Sequence, residues 1–573
     1  MRVKFIDVVR GSARNLPKLP VQVRALPALV SRAPTTRDSI GALVERNARR
    51  YGARPALMTV TRTVTWRELN RHANGIAHSL AERGIGRGDV VGLLEGNSIE
   101  LIASVVALTK LGAVAALMNT AQRGDVLAHS VRVSGARAVV AGAEYAGLVD
   151  DAWPLDGLIA DAAGAPSWDP ASTAEVALGD PAFTIFTSGT TGLPKASVMT
   201  HARWLKASSV YSRLFLQLRP DDVIYVPLPF FHNMALTAAW SASCRSGAAL
   251  AIAPRFSASR FWEDCRAFGA TAFPYIGEIP RYLLAQPPSA SDRDHSVRRI
   301  FGVGMRPELW APFSERFGID DVLEHYAASE ANTMFFNPLT IPGSIGFCVS
   351  PHALIRYDVD AGEIVRDADG RPIEVGKGEA GLLVCEVTDR FRFDGYTDPD
   401  ASEQKLLRDL FAPGDVWFDS GDLLRKIGWR HAEFVDRVGD TFRWKSENVS
   451  TAQVETVVGA HPGVREAAVY GVEVEGSPGR AGMAAVVPED DLDLADLLDH
   501  LRRELPPYAV PVFLRLRTTL ETTDTHKHRK GDLKREGFDP GVVDDPLYVA
   551  QPAGWLALDA AGVVAIGAGR LRL

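Results

Sequence analysis

The sequence predicts an α/β protein. Its large N-terminal domain consists of α/β sub-lobes with a β-rich lobe, and a smaller α+β C-terminal domain follows. Three observations predict this. From 40 to 165, and again from 202 to 276, short β-rich runs alternate with amphipathic helical patterns, which indicates a largely parallel sheet. From 345 to 440 the chain turns strand-rich and turn-rich, as in "GEIVRDADGRPIEVGKGEAGLLVCEV". From about 440 onward "STAQVETVVGAHPGVREAAVYGV" and "GMAAVVPED" read as a compact mixed unit. With 573 residues, 46% of them hydrophobic, the chain exceeds what a single core usually supports. The expected divisions are a basic arm over 1–39, a domain over 40–437 and a domain over 438–573.

The first 40 residues carry eight Lys/Arg against Asp7 and Asp38, a local charge of +6. Two readings stand: peripheral contact with an anionic membrane, or an ordinary solvated arm. Prolines 17, 20, 27 and 34 argue against a long amphipathic helix, and no clean apolar face is visible. The next segments read in order as helix "SIGALVERNARRYG", strand "PALMTV", helix "VTWRELNRHANGIAHSLAERG" and strand "GDVVGLLEG". The most apolar run, 101–118, is interrupted by Lys110 and Gly112. It reads as a buried helix, a turn at Gly112 and a buried strand rather than a membrane span. "ARAVVAG" is a further strand. Beyond 200 the pattern gives helix 202–217, strand "VIYVPLP", helix 233–245, strand "ALAIAP", helix 259–268 and strand "TAFPYI".

Composition narrows the function. A net charge of −7 disfavours non-specific nucleic-acid binding. Cys244, Cys265, Cys348 and Cys385 are widely spaced without a CxxC pair, so neither a zinc site nor a disulfide framework is indicated. A reducing cytoplasm is the expected compartment, and no secretory signal is read.

The chemistry centres on "TSGTTGLPK", Thr187–Lys195, between the strand patterns "AFTIFTS" and "ASVMTH". Thr187, Ser188, Gly189, Thr190, Thr191 and Gly192 offer hydroxyls and backbone N–H groups, and Lys195 adds an ammonium. That set suits a polyphosphate, but the spacing is not GxxxxGK[ST] and no helix follows. A hairpin loop can close over phosphates without a fixed helix dipole, which suits a group that binds and then leaves.

"FTSGTTGLPK" resembles the signature loop of the adenylate-forming enzymes, among them acyl-CoA synthetases, luciferases and peptide-synthetase adenylation domains. "PLPFFHNMA", "FGVGMR", "EHYAASEAN", "DSGDLL", "FVDRVGDTFRWKSENVS" and "TDTHKHRKGDLKREGF" resemble that family's later blocks, in the right order, from about residue 40 to the end. "RFSASRFWEDCRAFGAT", "YIGEIPRYLL", "DRVGDTFRWKSENVST" and "DPLYV" are most similar to the fatty-acid-transport-protein or very-long-chain acyl-CoA synthetase branch.

The resemblance implies activation of a long or very long fatty acid by ATP to an acyl-adenylate, then transfer to CoA, with AMP and pyrophosphate released. It implies ATP, Mg²⁺ and CoA as partners of the acid, and a mobile C-terminal domain hinged near 436–440. It places Thr190, Thr191, Gly189 and Gly192 on the β- and γ-phosphates, with Thr187, Ser188 and Lys195 alongside. Glu330, beside Ser329, is the matching position for the carboxylate that holds Mg²⁺. Tyr326 would stack on adenine, with Gly302 and Gly304 allowing close backbone approach. Asp422 would accept both ribose hydroxyls, with Arg437 as a second ribose contact or a salt-bridge partner of Asp436. His232 would lie beside the substrate carboxyl, or be a core histidine. Lys527 would bridge carboxylate and α-phosphate, while His526, His528, Arg529 and Lys530 would meet the CoA phosphates.

The chain departs from the family pattern at Ala327 and Ala331, where glycines are usual, and at Ser446, a glycine in "RWKGEN". Ser446 would line the pantetheine tunnel, so that departure falls on the thioester-forming step. Two rival functions remain: a fatty-acyl-AMP ligase that loads a carrier protein, and an uptake or binding protein with little catalysis. A homodimer is one arrangement left open.

Overall fold

A computed structural model describes residues 3–18, 20, 32–188, 193–359, 361–444, 447–474, 479–522, 528–568 and 570–571. Contacts divide the chain into two units. One comprises Val3–Ser350 with Val387–Leu406, and the other Pro351–Glu386 with Leu407 to the end.

The larger unit holds two sheets. In the first, Trp153–Pro154, Ala138–Ala141, Val90–Leu94, Val114–Leu117 and Pro181–Ser188 lie parallel, and Pro194–Thr200 closes one edge antiparallel. The second runs from Phe347–Cys348 through Phe335–Phe336, Asp321–Tyr326, Arg299–Val303, Ala272–Ile276, Val223–Val226, Ala249–Ile252 and Pro55–Met58 to Thr63–Thr65. Its inner strands are parallel and its edges antiparallel. Parallel strands need crossovers, and the amphipathic helices predicted between them supply these.

The apolar run at 101–118 folds as expected. The helix Ile99–Leu111 is capped by Ser98 Oγ on Leu101 N, turns left-handed at Gly112 and enters the buried strand Val114–Leu117. The charge inside that run is satisfied: fully buried Lys110 reaches Glu45 at 2.8 Å and Asp169 at 3.3 Å. Burial works against the Asp169 carboxylate, but hydrogen bonds from Asn70, Asn74 and Lys110 hold its pKa below the ordinary value.

Two predicted helices are less regular than their sequence patterns. His201–Ser209 continues as a π-helical segment Val210–Phe215, and Trp240–Ser246 is preceded by another, Met234–Ala239. Trp204 Nε1 donates to Leu236 O at 3.0 Å, so a carbonyl of the second segment is satisfied from outside its helix. Such wide turns often stand at functional sites.

The arm also differs from expectation. Phe5–Asn15 is an α-helix that ends before Pro17, and Phe5, Ile6, Val9 and Leu16 are all exposed. The prolines fall after this stretch, so they limit its length without preventing it.

Among the described residues, the second unit contains two five-stranded sheets and two short hairpin sheets. In one of the five-stranded sheets, His352–Ile355, Ala380–Glu386, Val416–Gly428, Leu406–Arg408 and His431–Arg437 form the β-rich lobe. In the other, Val464–Glu473, Arg480–Pro488, Phe513–Leu516, Leu547–Gln551 and Gly554–Ala557 pack with Thr451–Gly459 and Leu494–Glu504 around a separate core that includes Val469, Phe513 and Leu501. Among the described residues, no helix is long and apolar enough to cross a membrane.

Candidate active site

The Gly/Thr loop sits where the strand patterns placed it. Pro181–Ser188 and Pro194–Thr200 pair antiparallel, with Thr187 opposite Lys195 and Ser188 opposite Pro194. Gly189, Thr190, Thr191 and Gly192 lie outside the described residues, as does the side chain of Ser188. Thr187 Oγ1 donates to Lys195 O at 3.5 Å across the mouth of the hairpin.

A third segment runs along the outer edge of this hairpin. Val198 N donates to Gly395 O at 3.0 Å and Thr397 N to Ala196 O at 2.9 Å, which sets Tyr396 opposite Ser197. The Lys195 ammonium stands 5.6 Å from the centroid of the Tyr396 ring, within cation–π range. Tyr396 Oη donates to Glu330 Oε1 at 3.1 Å. Burial, and then the Glu330 carboxylate, push the Tyr396 phenol well above its ordinary range, so it stays a donor through neutral pH.

Glu330 comes from the loop that follows the strand Asp321–Tyr326. Arg203, on the helix after the hairpin, fixes that loop through its carbonyls: Nη2 donates to Ala331 O at 2.6 Å and to Ala328 O at 3.3 Å. Burial pulls the Arg203 pKa down, against the pull of Asp394 and Glu330. Ala327 and Ala331 both keep negative φ, so the methyls that replace glycine here cost no backbone strain. Ser329 is half-buried in the same loop. The structure thus brings Thr187, Lys195 and Glu330 to one place through Tyr396.

Mg²⁺ keeps several of its oxygen ligands from water and phosphate and asks a protein for one or two carboxylates. Glu330 fits that demand: it is half-buried, and Tyr396 engages Oε1 of its two carboxylate oxygens.

The neighbouring wall is made by the strand ends. Tyr326 is buried edge-on to Phe335, with ring centroids 5.9 Å apart. Two residues earlier on the same face of that strand, Glu324 accepts from Gly304 N and shares a hydrogen bond with Tyr275 Oη. Gly302 has a packing reason to be glycine, because a Cβ there would lie 2.2 Å from Tyr275 O. Gly304 is exposed at φ +81°, which makes it the glycine of the pair open to a ligand. His232 is half-buried, unlike a core histidine; its Nδ1 accepts from Met234 N at 3.2 Å at the start of the π-helical segment.

In the second unit Asp422 and Arg437 face each other across two strands, with Arg437 Nε 3.7 Å from buried Asp422 Oδ1. Arg437 thus forms an ion pair with Asp422. Asp436 instead accepts from Thr451 N at 2.7 Å and from Arg437 N at 2.9 Å. Lys527, His526 and Ser446 lie outside the described residues. Lys530 is half-buried and paired with Glu455 at 2.7 Å and Thr451 Oγ1 at 3.0 Å, so here it is engaged within the second unit.

Residue reading missed Tyr396, Arg203 and Glu324. A tyrosine in "DGYTD" and an arginine on a helix carry no local signal, and their roles depend on contacts distant in sequence.

Comparison with known proteins follows the same outline. The family model described as AMP-binding enzyme matches residues 44–385, and that of the AMP-binding enzyme C-terminal domain matches 453–527. The chain is 45% identical to the medium/long-chain-fatty-acid–CoA ligase FadD6 of Mycobacterium tuberculosis, over 96% of this chain and 94% of the relative. It is 39% identical to long-chain fatty acid transport protein 2 of Rattus norvegicus, over 87% and 86%. Among solved structures, the anthranilate CoA ligase AuaEII in complex with anthranoyl-AMP superposes with a TM-score of 0.75 at 21% identity, covering 88% of this chain and 98% of that one.

Proposed function

The chain belongs to the AMP-binding enzyme family, and on that premise we propose how its residues activate a fatty acid. It is an ATP-dependent fatty acid–CoA ligase that forms an acyl-adenylate and then the thioester. The acid we assign is long or very long, and the acceptor is CoA rather than a carrier protein. The carrying observation is the convergence of Thr187, Lys195, Tyr396 and Glu330 beside the hairpin loop.

In the first step the acid's carboxylate attacks the α-phosphate of ATP, and pyrophosphate leaves. Nucleophile and leaving group are both anionic, so cationic and N–H donors must neutralise them. Thr187, Ser188, Gly189, Thr190, Thr191 and Gly192 hold the β- and γ-phosphates, and Lys195 supplies charge to the departing group. Mg²⁺ would neutralise phosphate oxygens beside Glu330. His232 orients the carboxyl, Lys527 bridges it to the α-phosphate, Tyr326 and Gly304 hold adenine, and Asp422 with Arg437 holds the ribose diol. In the second step the CoA thiol displaces AMP from the acyl carbonyl past Ser446. The functional boundary is assigned to 437/438, with the hinge at 436–440. The enzyme is placed in the cytoplasm, with contact to the inner face of the cell membrane through its basic arm.

The test separates the two steps. Lys527→Ala should abolish acid-dependent ATP–pyrophosphate exchange yet still convert supplied acyl-adenylate and CoA to thioester. Ser446→Gly should slow only thioester formation, by roughly tenfold for one lost neutral hydrogen bond. AMP release without acyl-CoA across all chain lengths would instead favour loading of a carrier protein, and no acid-dependent exchange would favour a binding protein.

A further inference from the structure

The strand Pro194–Thr200 is the outer strand of its sheet, so every second residue turns its backbone polar groups away from the hairpin. On that side Val198 N meets Gly395 O and Ala196 O meets Thr397 N. Pro194 is next in the period, and it has a carbonyl but no N–H to offer. There the third segment gives way to the helix Gly124–Ser134, whose Val133 O accepts from Thr397 Oγ1 at 2.6 Å. The same helix supplies a partner for the proline, with His129 Nε2 3.1 Å from Pro194 O. A carbonyl only accepts, so Nε2 carries the hydrogen and donates it. Arg132, one turn along, donates through Nη2 to Nδ1 at 3.2 Å and so fixes that tautomer. The helix does not need this histidine for its own packing: its buried side is made by Leu127, Ser130 and Ser134, and His129 is only half-buried.

The bond falls on the peptide that joins Pro194 to Lys195. A peptide is planar, so holding its oxygen also orients the N–H and Cα of Lys195. The next carbonyl, Lys195 O, accepts from Thr187 Oγ1 at 3.5 Å. Lys195 is thus held at both of its peptides, while its ammonium stands over the Tyr396 ring. We propose that His129, set by Arg132, is a positioning residue for the first step: it fixes the Pro194–Lys195 peptide so that the Lys195 ammonium meets the phosphates of ATP and the departing pyrophosphate. The proposal rests on the assignment of Lys195 to the leaving group under the proposed function.

The experiment is acid-dependent ATP–pyrophosphate exchange by the full chain, with KM for each substrate measured separately. His129→Ala should raise KM for ATP and for pyrophosphate by about tenfold, the scale of one hydrogen bond. KM for the acid and the thermal midpoint should stay at their wild-type values. The variant should also convert supplied acyl-adenylate and CoA to thioester at the wild-type rate, because that step uses no polyphosphate. His129→Gln keeps a side-chain N–H donor and should recover most of the loss. Arg132→Met, which frees the tautomer, should shift the same two constants by less. In a Lys195→Met background His129→Ala should add little, because the histidine acts through the lysine. Wild-type exchange constants in His129→Ala overturn the proposal. So does a loss shared equally by the thioester step, or full additivity with Lys195→Met, since either would make the histidine a general support of the fold. Failure of the underlying reading shows separately, as unchanged ATP and pyrophosphate constants in Lys195→Met itself.

Discussion

Glu324 and Glu330 stand at either side of one strand end, and the fold treats them in opposite ways. Glu324 lies within the strand Asp321–Tyr326, fully buried, where Gly304 N, Met305 N and Tyr275 Oη all meet its carboxyl. Burial pushes its pKa from the ordinary 4.5 to about 8. Tyr275 Oη and both N–H groups donate to its oxygens, which favours the charged form, but burial, with no cation beside it among the described residues, outweighs them and keeps the carboxyl neutral. Glu330 lies in the loop just beyond, half-buried, and meets Tyr396 Oη at 3.1 Å. Its position is set by Arg203 acting on the loop carbonyls. The strand fixes the register of both acids, but only the loop leaves one half-buried. Under the proposed function, one carboxyl holds the wall of the site and the other would meet a phosphate-bound cation.

The largest expected effect tests that division on the presented acid. Glu330→Gln keeps the shape and the acceptor for Tyr396 but removes the charge. We expect kcat/KM to fall by about 10²–10³, or about 3–4 kcal/mol in transition-state stabilisation, with the thermal midpoint unchanged. A loss of stability in place of activity would reverse the roles of the two acids.

The second test is on the buried acid. Glu324→Ala strands two N–H groups and a phenol in a dry interior and should cost about 2–3 kcal/mol of stability. Glu324→Gln should cost less. The two forms should also differ with pH. A carboxyl whose folded pKa lies above its unfolded one stabilises fully below the unfolded value and loses that contribution as pH rises through the folded value. The wild type should therefore lose stability relative to Glu324→Gln between about pH 4.5 and about pH 8, as measured by urea unfolding. Parallel pH profiles for the two would refute the neutral buried acid.

The contrast also marks what the sequence could show. Helix–strand alternation gave the sheet strands, and the turn at Gly112 and the hairpin around Thr187 and Lys195 were legible because local patterns dictate them. Glu330 and Asp422 could be named from motif resemblance, since each sits in a short block of fixed spacing. Tyr396 could not. It reaches Glu330 across a sequence separation of 66 residues, and its only local company is a polar turn. Arg203 was hidden for the same reason, because a guanidinium that grips carbonyls at 328 and 331 resembles any helix arginine in one dimension. The helix Phe5–Asn15 was hidden for a different reason, because the face it exposes depends on which side Gly11 turns toward Leu339.

The smallest expected effect isolates the tie between the hairpin and the presented acid. Tyr396→Phe keeps the ring near the Lys195 ammonium and removes only the hydroxyl that meets Glu330. A single hydrogen bond to a carboxylate is at stake, and a solvated cation would compete for the same oxygen. The loss in kcat/KM should therefore be about tenfold, near 1.4 kcal/mol, and smaller than that of Glu330→Gln. Because the hydroxyl acts through Glu330, the two substitutions should not be additive: combining them should cost little more than Glu330→Gln alone. The pyrophosphate-exchange rate of wild type, both single variants and the double variant gives that cycle. Full additivity would mean that Tyr396 acts on the substrates independently. An unchanged single variant would mean that Arg203 and the loop place Glu330 without help from the hairpin side.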